Sequence, residues 1–600
     1  MKRSILLTLL GMLPMLATIS APAHAQSSIS PAAVERATQA LLVQHGEAQG
    51  ERIRRGVAQV AARWWAEDGD EAAFEAFCKE SFQADPAELD RTFAELEAAF
   101  EQINGHLFEV RRDLTRPFDL DLGPISRADD LLGQLDFSAH ITDDLFKTKV
   151  AFLVLLNFPV HTLAERLAQG PAWDRKQWAI SRLAEGFDQR IPPAALQEAS
   201  RANSAADRYI SGSNIRLDRL VDAQGGKLFP EGLRLITHWG LRDELASHYG
   251  EADADGRGLE RQRAIYRVMQ RIIRQEIPAA VIDNADLLWN PETNAVRPVD
   301  ASKPFDPAKL AAREPDTRYV HLLDVFHAAR GIDPYTPNDP THIDRQFNGN
   351  RQVPEAEVEA LLVSLLESPE VKDLAALVRA RLGRPLEPFD IWYAGFKPRS
   401  GHSEAELDRI VRAKYPSLEA FQTALPQTLG ALGFAPDKAA WLASHIVVDP
   451  ARGAGHAMPA SRREDSVHLR TRVPQGGMDY KGYNIAIHEL GHNVEQVFSL
   501  HGIDHWALSG VPNNAFTEAL AFVFQHRDLE LLGLGAQDAA ARRAEALATL
   551  WNAMEISGVS LVDMRVWRWM YAHPNATPAE LREATVGIAR EVWNRFYAPL

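Results

Sequence analysis

Apolar residues recur at three- and four-residue spacing along most of the chain after Gln26. Segments such as PAELDRTFAELEAAFEQI and LERQRAIYRVMQRIIRQEI separate them with Glu, Arg and Ala, which is the period of an amphipathic helix. Proline opens several of these segments, as at Pro86 and Pro354, where a first-turn proline loses no hydrogen bond. Since no repeat of fixed length is present, the pattern predicts a mainly α-helical protein and not a solenoid.

Two stretches interrupt the helical pattern. The first, LLWNPETNAVRPVDASKPFDPAKLAAREPDTRY, is rich in Pro, Asn and Asp and predicts a long surface excursion. The second covers residues 446–480, where the β-branched segments HIVVD and SVHLRTRV are bounded by Gly and Pro. These two segments predict short strands, and thus a small antiparallel β element just before the next helix.

The composition is ordinary for a soluble globular protein. The chain has 600 residues, 46% of them hydrophobic and 24% charged, which is too long for one simple core, so two or more lobes are expected. The formal net charge is −16 and no strong Lys/Arg run is present, which argues against a nucleic-acid partner. The single cysteine, Cys78, cannot form an internal disulfide and is predicted to be a buried helix residue.

The first 25 residues have the organisation of a secretory signal peptide. Lys2 and Arg3 precede a short apolar stretch, and Ala23-His24-Ala25 supplies a small-x-small cleavage site. The alternative, an uncleaved membrane anchor, is disfavoured because Pro14 interrupts the run. We therefore expect cleavage after Ala25, export to a Gram-negative periplasm, and no stable membrane insertion afterwards.

The segment IAIHELGHNVEQVF, residues 485–498, places His488 and His492 four residues apart. On a helix both imidazoles project from one face and can reach one metal ion, while Glu489 can approach a water molecule without ligating. Gly491 lowers helix propensity by about 1 kcal/mol, and the missing side chain would let another element approach closely.

Catalytic zinc usually takes three protein ligands, and Glu518 is the candidate third ligand. It lies 26 positions after His492 in NAFTEALAFVFQ, which predicts a helix that is apolar nearly all round, where an unpaired carboxylate is costly. The alternative is a solvated surface glutamate. His501 and His505 are competing ligands, but their surroundings are typical of a loop. One zinc ion per chain is expected.

This pattern resembles the gluzincin metallopeptidases of the all-helical branch, which contains angiotensin-converting enzyme, thimet oligopeptidase, bacterial dipeptidyl carboxypeptidase and carboxypeptidase Taq. PNNAFTEALAFV is similar to that group's segment around the glutamate ligand, although Pro512 stands further ahead of Phe516. GAGHAMPA, residues 453–460, resembles its substrate-binding strand, and PFDIWYAGFKPRSG resembles the segment leading into the catalytic region. The resemblance covers about residues 386–530.

The resemblance implies a large two-lobed helical peptidase fold with a deep channel that admits short peptides. Residues 26–385 would form the channel wall and residues 386–600 the catalytic region. Zinc would acidify a water molecule, and Glu489 would take its proton and pass it to the leaving amine. His456 and Ala457 would bind the substrate, which would add as a strand. We expect a monomeric zinc peptidase of oligopeptidase, peptidyl-dipeptidase or carboxypeptidase type.

The sequence departs from the family pattern in two places. Phe522 occupies the position of an acidic residue that supports a zinc histidine, so support must come from elsewhere, with Asp504 and Asp528 as candidates. The family's late tyrosine and histidine, which stabilise the tetrahedral intermediate, have no matching motif. The candidates in this part of the chain are Tyr571, His573 and Tyr597.

The sequence leaves open one question of specificity and two alternative functions. Carboxypeptidase specificity would need a cation for the substrate's carboxylate, and Lys397, Arg399, Arg470 and Arg472 are available. The chain can also be a catalytically impaired homologue that binds peptide or metal. A structural helical array with an accidental HExxH is the least favoured alternative, because Glu518 follows at a suitable spacing.

Overall fold

The computed structural model describes residues 27–124, 126–132, 140–212, 215–235, 238–249, 256–396, 404–452, 455–474, 476–510, 513–535 and 538–600. The predicted signal peptide, residues 1–25, lies outside the described residues. So do two of the candidate cations, Lys397 and Arg399, and Pro512.

The described part of the chain is mainly α-helical, which confirms the predicted fold class. Serine, threonine and aspartate cap many of the helices, and proline stands in the first turn of several, as the sequence pattern predicts. The helices before residue 340 are α1 (Pro31–His45), α2 (Gly50–Ala61), α3 (Glu71–Ser81), α4 (Pro86–Asp119), α5 (Arg127–Leu132), α6 (Ile141–Lys147), α7 (Val150–Asn157), α8 (Leu163–Gln169), α9 (Arg175–Glu185), α10 (Pro193–Gly212), α11 (His238–Ser247), α12 (Gly258–Ile273), α13 (Pro307–Leu310) and α14 (Thr317–Arg330).

The remaining helices include the two that carry the candidate metal ligands. They are α15 (His342–Asp344), α16 (Glu355–Leu366), α17 (Pro369–Leu382), α18 (Glu404–Lys414), α19 (Leu418–Ala431), α20 (Pro436–Ser444), α21 (Tyr480–His501), α22 (Asn514–Gln525), α23 (Asp528–Leu531), α24 (Ala539–Ala572) and α25 (Pro578–Phe596).

Two small two-stranded sheets lie before residue 300. Strands β1 (Ile215–Arg216) and β2 (Arg234–Leu235) pair antiparallel, as do β3 (Leu287–Trp289) and β4 (Val296–Pro298). The second sheet, a hairpin, lies inside the stretch that the sequence predicts as a surface excursion, and that prediction was wrong for its first part. Trp289 is buried in a hydrophobic core because the hairpin packs its apolar residues inward.

A three-stranded sheet precedes the HExxH helix, as predicted. Its strands β5 (Ile446–Pro450), β6 (His456–Met458) and β7 (Val467–Thr471) stand in the order β5-β7-β6. Strand β6 pairs antiparallel with β7, as predicted, but the two segments predicted as strands, β5 and β7, pair parallel. The sheet is therefore mixed, because the chain returns to β7 through β6. In the described part of the chain no strand pairs with the second edge of β6, which is therefore an open edge.

Helix α21 is held in a hydrophobic core that joins it to this sheet. Leu490 and Val494 on its inner face pack with Leu469 of β7 and Phe421 of α19. Its first turn is capped by Asp479, whose carboxylate accepts a hydrogen bond from the Gly482 N–H. The helix is thus fixed at its beginning and along one face, which positions the opposite face.

The structure also bears on the single cysteine and on the question of membrane-spanning helices. Cys78 is buried in α3, as predicted, and burial raises the pKa of its thiol to about 12. Among the described residues, no helix combines the length and the apolar character that crossing a membrane requires.

Candidate metal centre

Helices α21 and α22 bring the three predicted metal ligands together. His488 and His492 lie one turn apart on α21, with ring centroids 4.9 Å apart. The Nε2 atom of His488 lies 3.5 Å from Oε2 of Glu518, and Nε2 of His492 lies 3.7 Å from Oε1 of the same carboxylate. One ligand atom from each of the three residues falls within 4.8 Å of the other two.

This geometry fits a zinc ion. Ligand atoms about 2.0–2.2 Å from a tetrahedral zinc ion lie roughly 3.3–3.6 Å from each other. The two measured histidine–carboxylate separations are close to that range. Two imidazoles and one carboxylate are also a ligand set that catalytic zinc takes in proteins, with a fourth position left for water.

Glu518 occupies its position for a different reason than the sequence predicts. Its side chain is 54% exposed. Phe516 and Val523 of α22 are also more than half exposed, so this apolar helix is not surrounded by protein on all sides. Burial therefore does not force the carboxylate to find a partner. The packing of α22 against α21 brings it to the histidines.

Gly491 sets that packing, as its lack of a side chain predicts. A Cβ atom at Gly491 would lie 2.6 Å from the Cα atom of Ala521 and 3.3 Å from the carbonyl oxygen of Leu520. The backbones of α21 and α22 therefore meet at the glycine between the two histidines. Glu518 lies one turn before this contact and reaches across to both imidazoles.

Glu489 follows His488 on α21 and makes its hydrogen bond to the sheet. The carboxylate is buried, and its Oε2 atom accepts a hydrogen bond from the backbone N–H of Ala457 at 2.7 Å. Ala457 is the middle residue of β6, so the hydrogen bond fixes the carboxylate against the open edge of the sheet. Glu489 directly follows His488 in α21, and a carboxylate so held can act as a general base.

His456 and Arg470 form a pair on neighbouring strands. The Nη1 atom of Arg470 donates to Nε2 of His456 at 3.0 Å and to Oδ2 of Asp119 in α4 at 2.9 Å. Arg470 is buried and carries this ion pair, so it is not a free cation for a substrate carboxylate. The substrate-binding role of His456 stays a prediction.

A chain of hydrogen bonds that the sequence did not predict holds His488. Its Nδ1–H donates to Oε1 of Gln525 at 3.0 Å, which leaves Nε2 free to ligate. The Gln525 amide donates to Oδ1 of Asn484 at 2.7 Å, and the Asn484 amide donates to Oδ2 of Asp528 at 2.7 Å. Tyr480 donates to the same Asp528 oxygen at 2.6 Å.

This chain explains how the site manages with Phe522 where the family pattern has an acidic residue. Phe522 lies edge-on to His488, with ring centroids 5.0 Å apart, and offers no hydrogen bond. Gln525 lies seven positions after Glu518 and thus on a similar face of α22, which is the signal that could have identified it. On the other imidazole, Nδ1 of His492 lies 3.3 Å from the Thr517 hydroxyl.

The other candidate support, Asp504, lies elsewhere. Its carboxylate accepts two hydrogen bonds from Nε of Arg175, at 2.8 and 2.9 Å, and this interaction holds its pKa well below the usual range. Asp528 contacts His488 only indirectly, through the hydrogen bonds of Asn484 and Gln525. The prediction for Asp504 was therefore wrong, and the prediction for Asp528 holds only indirectly.

The competing histidines have other partners as well. His501 lies against His445, with ring centroids 4.2 Å apart, and burial lowers its pKa to about 4. Nδ1 of His505 lies 3.2 Å from Oε2 of Glu97 in α4. Neither histidine belongs to the three-ligand group found in the described residues.

The late tyrosines and histidine also make contacts of their own. Tyr571 donates to the carboxylate of Asp333, and Tyr597 donates to the carbonyl oxygen of Met554 at 2.7 Å. His573 stacks on Trp569. All three are thus engaged by neighbours that lie outside the three-ligand group.

Comparison with known proteins adds little to this geometry. No protein-family model matches the chain, and no curated protein matches it. Among solved structures, the chain is similar to a protein designated oligoendopeptidase F from Bacillus anthracis strain Ames. The TM-score is 0.41 at 11% sequence identity, covering 95% of this chain and 84% of that chain. A likeness at this level carries no argument about function, which rests on the site itself.

Proposed function

We propose that the protein is a zinc metallopeptidase that hydrolyses peptide bonds in short peptides. The observation that carries this proposal is the convergence of His488, His492 and Glu518 from two helices, with Glu489 directly following His488 in α21. The arrangement resembles that of the gluzincins of the all-helical branch. A zinc ion bound there would supply a water molecule of lowered pKa and polarise a carbonyl group.

Glu489 is the residue assigned to move protons. Its carboxylate is held by the Ala457 N–H, and the residue directly follows the proposed ligand His488, so we assign it to accept a proton from a nucleophilic water. The same carboxyl group can then deliver that proton to the amine that leaves. The positioning of its Oε2 atom by the backbone means that the base is oriented before substrate binds.

The open edge of β6 is the assigned substrate platform. The N–H and C=O groups of one strand residue point to the same side, so the Ala457 carbonyl faces the edge where its N–H meets Glu489. That carbonyl can accept a hydrogen bond from an extended peptide that adds to the strand. The peptide backbone would then pass directly beside Glu489.

Several features of the wider proposal follow from the resemblance and the N-terminal sequence. They are export to the periplasm after cleavage at Ala25, a channel between two lobes that admits short peptides, the division at residue 385, and a monomeric state. These remain predictions.

A zinc assay combined with a cleavage assay tests the proposal. We expect the purified protein to hold one zinc ion and to cleave a library of internally quenched short peptides. Glu489→Gln should retain the zinc ion while the turnover rate falls about 10²–10⁴-fold, because the general base is lost. Absence of bound zinc would contradict the proposal.

A second candidate is a homologue that binds zinc and peptide without cleaving. The observation that favours it is the engagement of Tyr571 and Tyr597 by other partners, since loss of an oxyanion-stabilising donor typically costs about 10²–10³ in rate. Zinc binding with no cleavage of any library peptide would support this candidate over the enzyme.

A further inference from the structure

A cavity of about 190 Å³ lies beside the candidate metal centre, at the beginning of α21. It is lined by residues from the loop before β6, the end of β7 and the first turns of α21. The residues that matter here are Gly455, Thr471, Arg472, Asp479, Lys481 and Ile485. It is smaller than pockets for drug-sized ligands and suits one residue of a peptide.

The cavity and the metal ligands share one face of α21. Lys481, Ile485, His488 and His492 follow each other at spacings of four, three and four residues, which places them in one row along the helix. Ile485 lies about 5 Å and Lys481 about 10 Å from His488 along the helix axis, at about 1.5 Å per residue.

The open strand runs alongside this row. A Cβ atom at Gly455 would lie 2.6 Å from Cγ2 of Ile485, so the chain entering β6 touches the helix at the cavity. Two residues later, Ala457 touches Glu489. A peptide that follows the open edge of β6 therefore passes both the proposed catalytic base and the mouth of the cavity.

Two cationic side chains, Arg472 and Lys481, line the cavity. Arg472 and Lys481 are exposed, and neither forms an ion pair with any residue that the structure describes. The nearby Arg470, by contrast, is buried in an ion pair with Asp119. Asp479 is the acidic residue of the lining, and its Oδ1 atom is engaged as the cap of α21 through the Gly482 N–H.

We propose that this cavity is a subsite for a carboxylate of the peptide substrate, with Arg472 and Lys481 as the residues that determine this specificity. The inference rests on the proposed peptidase function. The chain as a whole is acidic, with a net charge of −16. Two exposed cations at the wall of one cavity, with no ion pair to any described residue, are suited to hold a carboxylate by charge-assisted hydrogen bonds.

The spacing limits where the carboxylate lies in the substrate. An extended peptide rises about 3.3 Å per residue, so the distance of about 10 Å corresponds to about three residues from the cleaved bond. The carboxylate can be the C-terminus of the peptide or the side chain of an Asp or Glu at that position. Both sources present the same chemistry to Arg472 and Lys481.

Matched peptides distinguish the two sources. One quenched peptide sequence is prepared with a free C-terminal carboxylate and with a C-terminal amide. A third series keeps the amide and places a single Glu at each position within four residues of the cleaved bond. The wild-type protein should prefer the free acid, or one Glu position, over the plain amide by about 10–100-fold in kcat/KM, as expected for a hydrogen bond to a charged group.

The variants Arg472→Gln, Lys481→Gln and their combination should remove that preference while the zinc content stays at one ion per chain. Lys79→Gln, at an exposed lysine of α3, is the control for a change of charge elsewhere and should leave the preference intact. Equal cleavage of acid, amide and Glu peptides by the wild-type protein overturns the subsite.

Binding to the Glu489→Gln variant separates failure of the subsite from failure of the proposed function. If no peptide is cleaved, calorimetric titration of this variant with the same acid, amide and Glu peptides still tests the cavity. Tighter binding of a carboxylate peptide that the double substitution abolishes supports the subsite. Equal affinities for the acid, the amide and every Glu peptide overturn the proposed subsite.

Discussion

Helix α21 and the turn after it carry two pairs of histidines with the same four-residue spacing, but only the first pair converges on a carboxylate ligand. His488 and His492 face Glu518 at 3.5 and 3.7 Å. His501 ends α21 and packs on His445, whereas His505 lies beyond the helix and contacts Glu97. Spacing alone therefore does not make a metal site, because two side chains share a face only while the helix continues.

A glycine lies inside each pair, and the two glycines meet different neighbours. A Cβ atom at Gly491 would contact the backbone of α22 at Ala521, whereas one at Gly502 would lie 2.8 Å from the carbonyl oxygen of Phe498 in its own helix. The first glycine admits a second helix with a ligand, and the second ends the helix. The partner element thus distinguishes the two pairs.

Substitution of the ligands should give the largest difference between the pairs. Glu518→Ala or His488→Ala should reduce the zinc content from one ion per chain to none after dialysis, because two protein ligands rarely retain catalytic zinc. His501→Ala and His505→Ala are the matched controls and should retain one ion. Elemental analysis measures the content, and zinc loss in His501→Ala would contradict the comparison.

Addition of a methyl group at the two glycines should sharpen the comparison. Gly491→Ala should lower the free energy of unfolding by about 1–3 kcal/mol, because its Cβ atom would overlap the α22 backbone. It should also weaken zinc binding, since α22 must move and carries Glu518 with it. Gly502→Ala should leave zinc affinity unchanged. Urea denaturation and zinc titration check both, and an unaltered zinc affinity in Gly491→Ala would count against the close approach.

Removal of the hydrogen bond that supports His488 should weaken zinc binding no more than the substitution of Gly491 does. Gln525→Leu should weaken zinc binding by about 10–100-fold, because the imidazole loses the partner that fixes its tautomer. Gln525→Glu, which keeps an acceptor oxygen, should recover most of the affinity. Competition with a chromophoric zinc chelator measures this without any activity assay. Equal affinities in Gln525→Leu and the wild type would show that the hydrogen bond does not position the ligand.

Local patterns along the chain predicted most of the fold class and part of the site. The apolar periodicity identified the helices, and the segments HIVVD and SVHLRTRV identified β5 and β7, because side-chain alternation and helix propensity act over a few residues. The Pro-rich stretch after residue 287 was misread, since the burial of Trp289 depends on a distant core. Turn residues within a segment do not show what the hairpin packs against.

The sequence by itself determined which residue types can form the site: two histidines on one helix face with a glutamate directly after the first, and Glu518 at a distance that a second helix can span. Only the tertiary structure decided that α22 approaches at Gly491 and that Gln525 and Asn484 support His488. It also decided that Arg470 pairs with Asp119, whereas Arg472 and Lys481 form no ion pair with a residue in the described part of the chain. The physical reason is that spacing within one helix is fixed by its geometry, whereas contacts between elements depend on how their surfaces pack.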